Sequence, residues 1–507
     1  MKLDYKLIRF IIFAVIAVAG CVYFFFALKG EKEVSQTDLF AYVPSDEKFL
    51  LQINSFTAFS DTLGKFVSEE DSFEGDSFEW MRFLNQLFSP LVKNTSLFSQ
   101  PGKTPVLVSF HDKGEVFYVK TTLQDEKSWE KLLGEDLFPS FTPVIKNYKG
   151  FTIRYYTLSE NHFLCCIIKD GIFIGTLNYE LLQHTIDEII QGNSIMKNVD
   201  FQEIIATSGK KALATLFYCI DAPEDVFVAD TTQRDFLQFS GWSNSDITFM
   251  GDEIWLSGYF RNRLENVILK LPKGEKSQLL FPSRLIPDKA FFIKGVSLKK
   301  NLDSLEPDTL GNLQKFPALA VDELYTLYIN EAPTNSVVKL YALKQTEPES
   351  FSTELYPYLL ENYLNTFGSK MVNFNGKELK YTMLLSPAGI LNELAGFNCF
   401  SDTMDYFFSS YENILFVAED DRVLDTYFSR LAHAGVSHKL LEKNLNTPCH
   451  LLLQGEIGKL RSVTSSPLQL SPVLSKAPDF FSTWHFGLQL TIENELLFYH
   501  CVFSKIK

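Results

Sequence analysis

Lys169-Asp170-Gly171-Ile172-Phe173-Ile174-Gly175 and Glu412-Asn413-Ile414-Leu415-Phe416-Val417 decide how this chain is read. Each starts at a turn pair and runs into a short apolar strand. Each then leads to a segment of helical periodicity, residues 179–190 in one case and 423–431 in the other. Asp-Gly suits the two left-handed positions of a tight primed turn, so the first stretch should close an antiparallel hairpin. The two stretches lie about 242 residues apart. That spacing is far beyond the roughly 20–50-residue periods of solenoid repeats, and it points to two copies of one domain.

Further landmarks fall in the same order. Pro44 and Pro287 each precede an apolar strand, at 48–53 and 290–296. Both halves end in a hairpin, one turning at Gly251-Asp252 and the other at Glu493-Asn494. Lys149-Gly150 leads into an apolar run at 151–158, and Asn375-Gly376 leads into one at 378–385. Residues 151–158, 163–168 and 172–175 read as three successive antiparallel strands before a helix. The expected fold class is therefore α+β, with two tandem duplicated domains after an N-terminal membrane segment. Each domain would be an antiparallel sheet with helices packed on it. The expected boundaries are a membrane segment at 1–28, a stalk at 29–40, a first domain at 41–274 and a second at 275–507.

Composition narrows the function. Hydrophobic residues make up 46% of the 507 and charged residues 21%, which is enough apolar side chain for packed cores and too much for a disordered chain. The formal charge is −15, and no basic run stands out beyond the N-terminal segment. Nucleic acid is excluded as a partner, because phosphate binding needs clustered Lys and Arg.

Residues 8–28 are apolar except for Arg9, long enough to cross a bilayer, for which about 20 residues suffice. Lys2, Lys6 and Arg9 lie at its start and orient the N-terminus to the cytoplasm. The rest of the chain is then expected outside, as a periplasmic body on an inner-membrane anchor. A second reading competes. Val18-Ala19-Gly20-Cys21 has the form of a lipobox, in which Cys21 is lipidated and the leader removed. Either way the membrane is a partner.

The N-terminal anchor, the Pro44-Ser45-Asp46 and Pro287-Asp288 segments before the two first strands, and the likeness of the halves carry a resemblance. The layout resembles a group of uncharacterised cell-envelope proteins from Bacteroidetes. The resemblance implies an envelope location and brings no activity and no site residues.

Motifs for chemistry are sparse. The seven cysteines include no C-x-x-C, and most of those after Cys21 sit in or beside apolar runs, as buried thiols do. His433 and His438 lie five apart with no ligand pattern around them, and Cys449 and His450 are strand neighbours that point to opposite faces. The sequence contains no G-x-S-x-G elbow, H-E-x-x-H or phosphate loop. Asp420-Asp421 reads as a helix N-terminal cap. No metal and no cofactor are expected. Of the five tryptophans, Trp242 is the best placed for a binding surface, because Gly241, Ser243, Asn244 and Ser245 surround it. The function read from this is a membrane-tethered extracytoplasmic binding or scaffold protein of the bacterial envelope, rather than an enzyme. Its partners would be envelope proteins or lipids. Two other readings stand behind it: a carrier or chaperone for lipid or lipoprotein, and then a hydrolase acting on an envelope polymer.

Overall fold

The structure, a computed structural model, describes residues 38–68, 84, 105–120, 130–131, 133–134, 143–159, 162–209, 212–225, 228–230, 238–262, 276–279, 281–287, 289–298, 321–331, 336–344, 356–363, 369–374, 376–395, 400–401, 403–431, 447–462, 468–470, 482–493 and 496–505. The expected membrane segment, Cys21 and most of the stalk lie outside these residues. No described helix is long and apolar enough to cross a membrane. The chain forms two compact units, Met1–Tyr218 and Cys219–Lys507. The described residues are mostly antiparallel sheet with a few helices.

The first unit opens with a 3-10 turn, Leu39–Tyr42, capped by the Asp38 carboxylate, which accepts from the Phe40 N–H. Its elements follow as β1 (Phe49–Ile53), α1 (Phe56–Ser68), β2 (Val106–His111), β3 (Gly114–Lys120), β4 (Val144–Tyr148), β5 (Phe151–Ser159), β6 (His162–Lys169) and β7 (Ile172–Thr176). Then come α2 (Tyr179–Gln191), α3 (Val199–Thr207) and β8 (Ala214–Asp225). The pairing gives the order β8–β1–β2–β3–β7–β6–β5–β4, antiparallel throughout.

Turn chemistry sets this register. Asp170 and Gly171 both have positive φ, at 51° and 75°, as a primed two-residue turn demands, and Lys169 pairs with Ile172 across it. Lys149 and Gly150, at 48° and 89°, do the same for β4 and β5. Helix α2 starts where the Asn178 side chain accepts from the Glu180 and Leu181 N–H groups, and it stops at left-handed Gly192. Its apolar stripe buries Leu181, Leu182 and Ile186.

The second unit includes the short strand β9 (Val228–Asp230) and the long hairpin β10 (Gln238–Met250) and β11 (Glu253–Asn262). Next are β12 (Ala290–Ser297), β13 (Glu323–Glu331), β14 (Ser336–Lys344), α4 (Tyr356–Tyr363), β15 (Lys370–Phe374), β16 (Lys377–Leu384) and α5 (Ala388–Ala395). They are followed by β17 (Tyr406–Tyr411), β18 (Ile414–Ala418), α6 (Asp421–Leu431), β19 (Leu451–Glu456), α7 (Ile457–Ser462), β20 (Leu468–Leu470), β21 (Trp484–Glu493) and β22 (Leu496–Lys505). Eight of these strands run β19–β12–β13–β14–β18–β17–β16–β15, again antiparallel. Strand for strand, this is the order of the first unit. Glu412 and Asn413 take the positive φ angles here, at 49° and 64°, in the place of Asp170 and Gly171. Asp420 caps α6 as the sequence suggests, accepting from the Arg422 N–H at 2.8 Å.

Beyond β19 the sheet continues through β21, β22, β11 and β10, and the short strands β9 and β20 pair with each other. The hairpin β10–β11 falls inside the range 41–274 expected for the first domain, yet β11 pairs along β22 in the second unit, Glu253 with Ser504 through Phe260 with Leu497. A hairpin's outer edge is matched by non-local partners, and no local sequence signal marks that choice.

Candidate functional site

Residue by residue, the first unit holds a polar cluster on the sheet face that α2 covers. Ser109 and His111 are two apart on β2 and so point to the same face. His111 Nε2 lies 2.9 Å from Ser109 Oγ, and His111 Nδ1 lies 2.7 Å from Glu47 Oε1. With Nδ1–H donating to the carboxylate, Nε2 accepts from the serine hydroxyl. Glu47 comes from the segment between the 3-10 turn and β1, and its neighbour Asp46 meets His184 of α2 at 3.0 Å. Tyr118 of β3 completes the cluster beside Ser109 and Thr185. Burial is the main cause that pushes its phenol far above the usual range, the two hydroxyls offsetting part of the shift.

A carboxylate on Nδ1 and a serine on Nε2 is the arrangement that activates a nucleophile. The surroundings do not let it act as one. Ser109 is 0% exposed, and Glu47 and Tyr118 are buried with it. A substrate carbonyl has no approach to the hydroxyl. The chemistry that remains is cohesion, since His111 joins Ser109 to Glu47 and the segment before β1 is tied to β2 and α2, although the Tyr118 hydroxyl is buried without a hydrogen-bond partner.

Strand register identifies the matching positions of the second unit. Leu50 pairs with Ser109 and Ser109 with Val116; Ile293 pairs with Leu327 and Leu327 with Leu340. Tyr118 pairs with Ile174 as Ala342 pairs with Phe416. Carried through, Ser109, His111, Tyr118 and Glu47 correspond to Leu327, Ile329, Ala342 and Ala290, and Thr185 to Tyr427. All five of those residues lie in one buried apolar cluster.

The sequence-level candidates fare as follows. Trp242 is no binding surface, because it is buried at 2% exposure. The flanking Gly, Ser and Asn residues imply a loop, yet they belong to β10, with Trp242 paired to Arg261. Their polar side chains are satisfied inside: Ser243 Oγ donates to Tyr259 O at 3.0 Å, and Asn244 Oδ1 accepts from the Tyr259 N–H at 2.8 Å. Ser245 meets the Tyr499 hydroxyl. The packing is close enough that a Cβ on Gly258 would sit 1.8 Å from Asn244 O. Cys21, Trp80, Trp129, His433 and His438 lie outside the described residues. Cys449 is buried, and His450 Nδ1 accepts from the Ile492 N–H, so that pair is part of the sheet. Burial raises the thiols of Cys165, Cys166 and Cys449 to about 11, 12 and 12, which keeps them protonated and unreactive. Among the described residues no cluster of His, Cys, Asp and Glu has metal-site geometry.

A different feature escaped the sequence reading. Strand β4 forms the outer end of the first unit's strand order and pairs only with β5 among the described residues. Val144 and Ile145 are 58% and 60% exposed there. Its counterpart β15 is partly covered, with Lys370 and Val372 half-buried and Phe374 buried. The Lys149-Gly150 turn is the signal that could have revealed β4, since a two-residue primed turn requires a strand on each side.

No family model matches the chain, and no curated protein does. Among solved structures, two crystal forms of TP0453 are similar over 46% and 45% of this chain and 82% and 80% of theirs, at 10% and 9% identity. Their TM-scores are 0.27 and 0.26, too low to carry an argument about this protein.

Proposed function

We propose that the chain is a membrane-tethered, extracytoplasmic binding or scaffold protein of the bacterial envelope, built by duplication of one α+β domain. The observation that carries the binding reading is the edge strand β4, exposed at Val144 and Ile145 and paired only with β5 among the described residues, because an uncovered strand edge is a template for pairing that a protein without a partner normally blocks. The shared strand order of the two units supports the duplication. The apolar segment 8–28 with its basic start supports the tether. The closed Ser109 relay speaks against turnover at that cluster. For the carrier reading, one cavity among the described residues is lined by Ile286, Phe292, Gln454 and His485. Its volume of about 20 Å³ has room for one water and none for an acyl chain.

Two measurements test this. Protease added to spheroplasts should degrade the body of the protein, and Cys21→Ser should leave it in the membrane if the segment is an uncleaved anchor. Photo-crosslinking side chains placed at exposed positions Ile145, Val199, Met250 and Met371 in cells should give discrete adducts at one or more of them. Protection from protease would remove the location, and a complete lack of adducts would remove the binding role.

A further inference from the structure

The edge strand β4 has a geometry that specifies its occupant. Lys149 and Gly150 form a two-residue turn, so Tyr148 and Phe151 are the hydrogen-bonded pair that closes it. Alternation then makes Lys146 with Ile153 and Val144 with Tyr155 the other bonded pairs. The backbone N–H and C=O of Ile145 and Asn147 therefore point away from β5, into the open edge. Ile145 is also the most exposed apolar residue of the strand. Backbone donors, acceptors and an uncovered apolar side chain coincide at one position.

The charges add selectivity. Lys149 is engaged by Asp187 at 2.8 Å and Arg154 by Glu130 at 2.5 Å. Lys146 lies over the rings of Tyr155 and Tyr179, at 5.1 and 5.7 Å, and among the described residues it has no carboxylate partner. One cation on the edge strand is left for a ligand.

We infer that β4 is a docking edge for an extended segment of another protein, in which apolar residues alternate with carboxylates. The segment adds as an antiparallel or parallel strand, with its apolar side chains on the Ile145 face and its carboxylates on the face of Val144 and Lys146. This inference rests on the binding reading and names the partner class for it. The corresponding edge β15 is not a docking site: its first residue, Lys370, is held by Asp421 and Asp425, both at 2.6 Å, and half of the strand is covered.

The test is fluorescence anisotropy of full-length protein in detergent with a labelled, end-blocked peptide of about ten alternating valine and glutamate residues, long enough to span a strand. A peptide with lysine for glutamate is the comparison. The glutamate peptide should bind at least about tenfold more tightly than the lysine peptide. Ile145→Pro removes only an outward-pointing donor and so spares the β4–β5 bonds. It should weaken binding by about tenfold or more, whereas Met371→Pro on β15 changes it by less than about twofold. Lys146→Glu should invert the preference between the two peptides. Equal binding by parent and Ile145→Pro protein, or no binding of the glutamate peptide, overturns the inference. So does self-association in the parent that Ile145→Pro abolishes, since the occupant is then a second copy of this chain. In cells, crosslinked adducts at Val199 or Met250 with none at Ile145 sink this edge and leave the binding reading standing. Absence of adducts at all four positions sinks both.

Discussion

The two units share an eight-strand order but fill the same sheet face in opposite ways. The first places Glu47, Ser109, His111, Tyr118 and Thr185 there, with the His111 ring hydrogen-bonded to both Ser109 and Glu47. The second places Ala290, Leu327, Ile329, Ala342 and Tyr427 there, packed as apolar core. Topology is thus indifferent to the polarity of this face. What the units hold in common is elsewhere: the left-handed turn residues before β7 and β18, and the helix that follows each of those strands. Another shared element is a clasp from a 3-10 turn, Leu39–Tyr42 in the first unit and Ser283–Leu285 in the second, to the hairpin tip. Tyr42 donates to Asp170 at 2.9 Å in the first unit, and Arg284 donates to Glu412 at 2.7 Å in the second. Burial and the Asp170 hydrogen bond raise the Tyr42 phenol to about 12, so this clasp keeps its proton at any physiological pH.

The comparison can be broken most severely by moving the polar face into the apolar unit. Leu327→Ser with Ile329→His, without a carboxylate in reach, should cost about 3 kcal/mol or more, since polar groups are buried unpaired. Urea unfolding with hydrogen exchange resolved by peptide should show the loss in the second unit. A loss under about 1 kcal/mol would mean that this face is not the tight core its burial implies. The next effect in size is in the first unit. Glu47→Ala leaves the His111 ring without its acceptor and should cost about 1–3 kcal/mol by the same measurement.

A combined replacement sharpens the comparison. Glu47→Ala, Ser109→Leu, His111→Ile, Tyr118→Ala and Thr185→Tyr together copy the second unit's face into the first. This set should lie within about 1 kcal/mol of the parent, because exchanging a whole buried polar set for apolar residues is often neutral. If the set is worse than Glu47→Ala alone, the polar cluster is needed for the fold itself. The smallest effect concerns the helix-to-edge ion pairs. The Lys370 hydrogen bond holds the Asp421 carboxyl below its usual value. A depressed folded-state carboxyl contributes stability above its unfolded pKa, and that stability is lost as pH falls through the folded value. Lys370→Met should therefore move the acid-unfolding midpoint to higher pH, with a stability loss at neutral pH of well under about 1 kcal/mol for so exposed a pair. An unchanged midpoint would show that solvent screens the pair completely.

Much of this architecture was legible in local signals. Asp170-Gly171 and Lys149-Gly150 each act within a few residues and give turns where the sequence suggests them, and the periodic segment 179–190 is a helix. The polar cluster was not legible, because Glu47, Ser109 and His111 meet through strand pairing and no motif spacing links them. Trp242 misled for the opposite reason. Its small polar neighbours imply exposure, yet Tyr259 of the hairpin partner β11 and Tyr499 of the distant strand β22 satisfy them in the interior. Edge β4 was passed over because its residues, Val-Ile-Lys-Asn-Tyr, lack the alternation of a half-buried strand. That lack has a cause, since both faces of the strand are in solvent.

The pairing of β1 sets a timetable for making the protein. Phe49 finds Tyr218 only after every other strand of the first unit has been synthesised, and Phe292 likewise waits for Gly455. At about 5–20 residues per second, the ribosome leaves one side of β1 unmatched for on the order of ten seconds. During that interval the nascent chain carries a second open edge, beside the apolar β4. A holding chaperone, or export of the chain before it folds, would be needed most in that window.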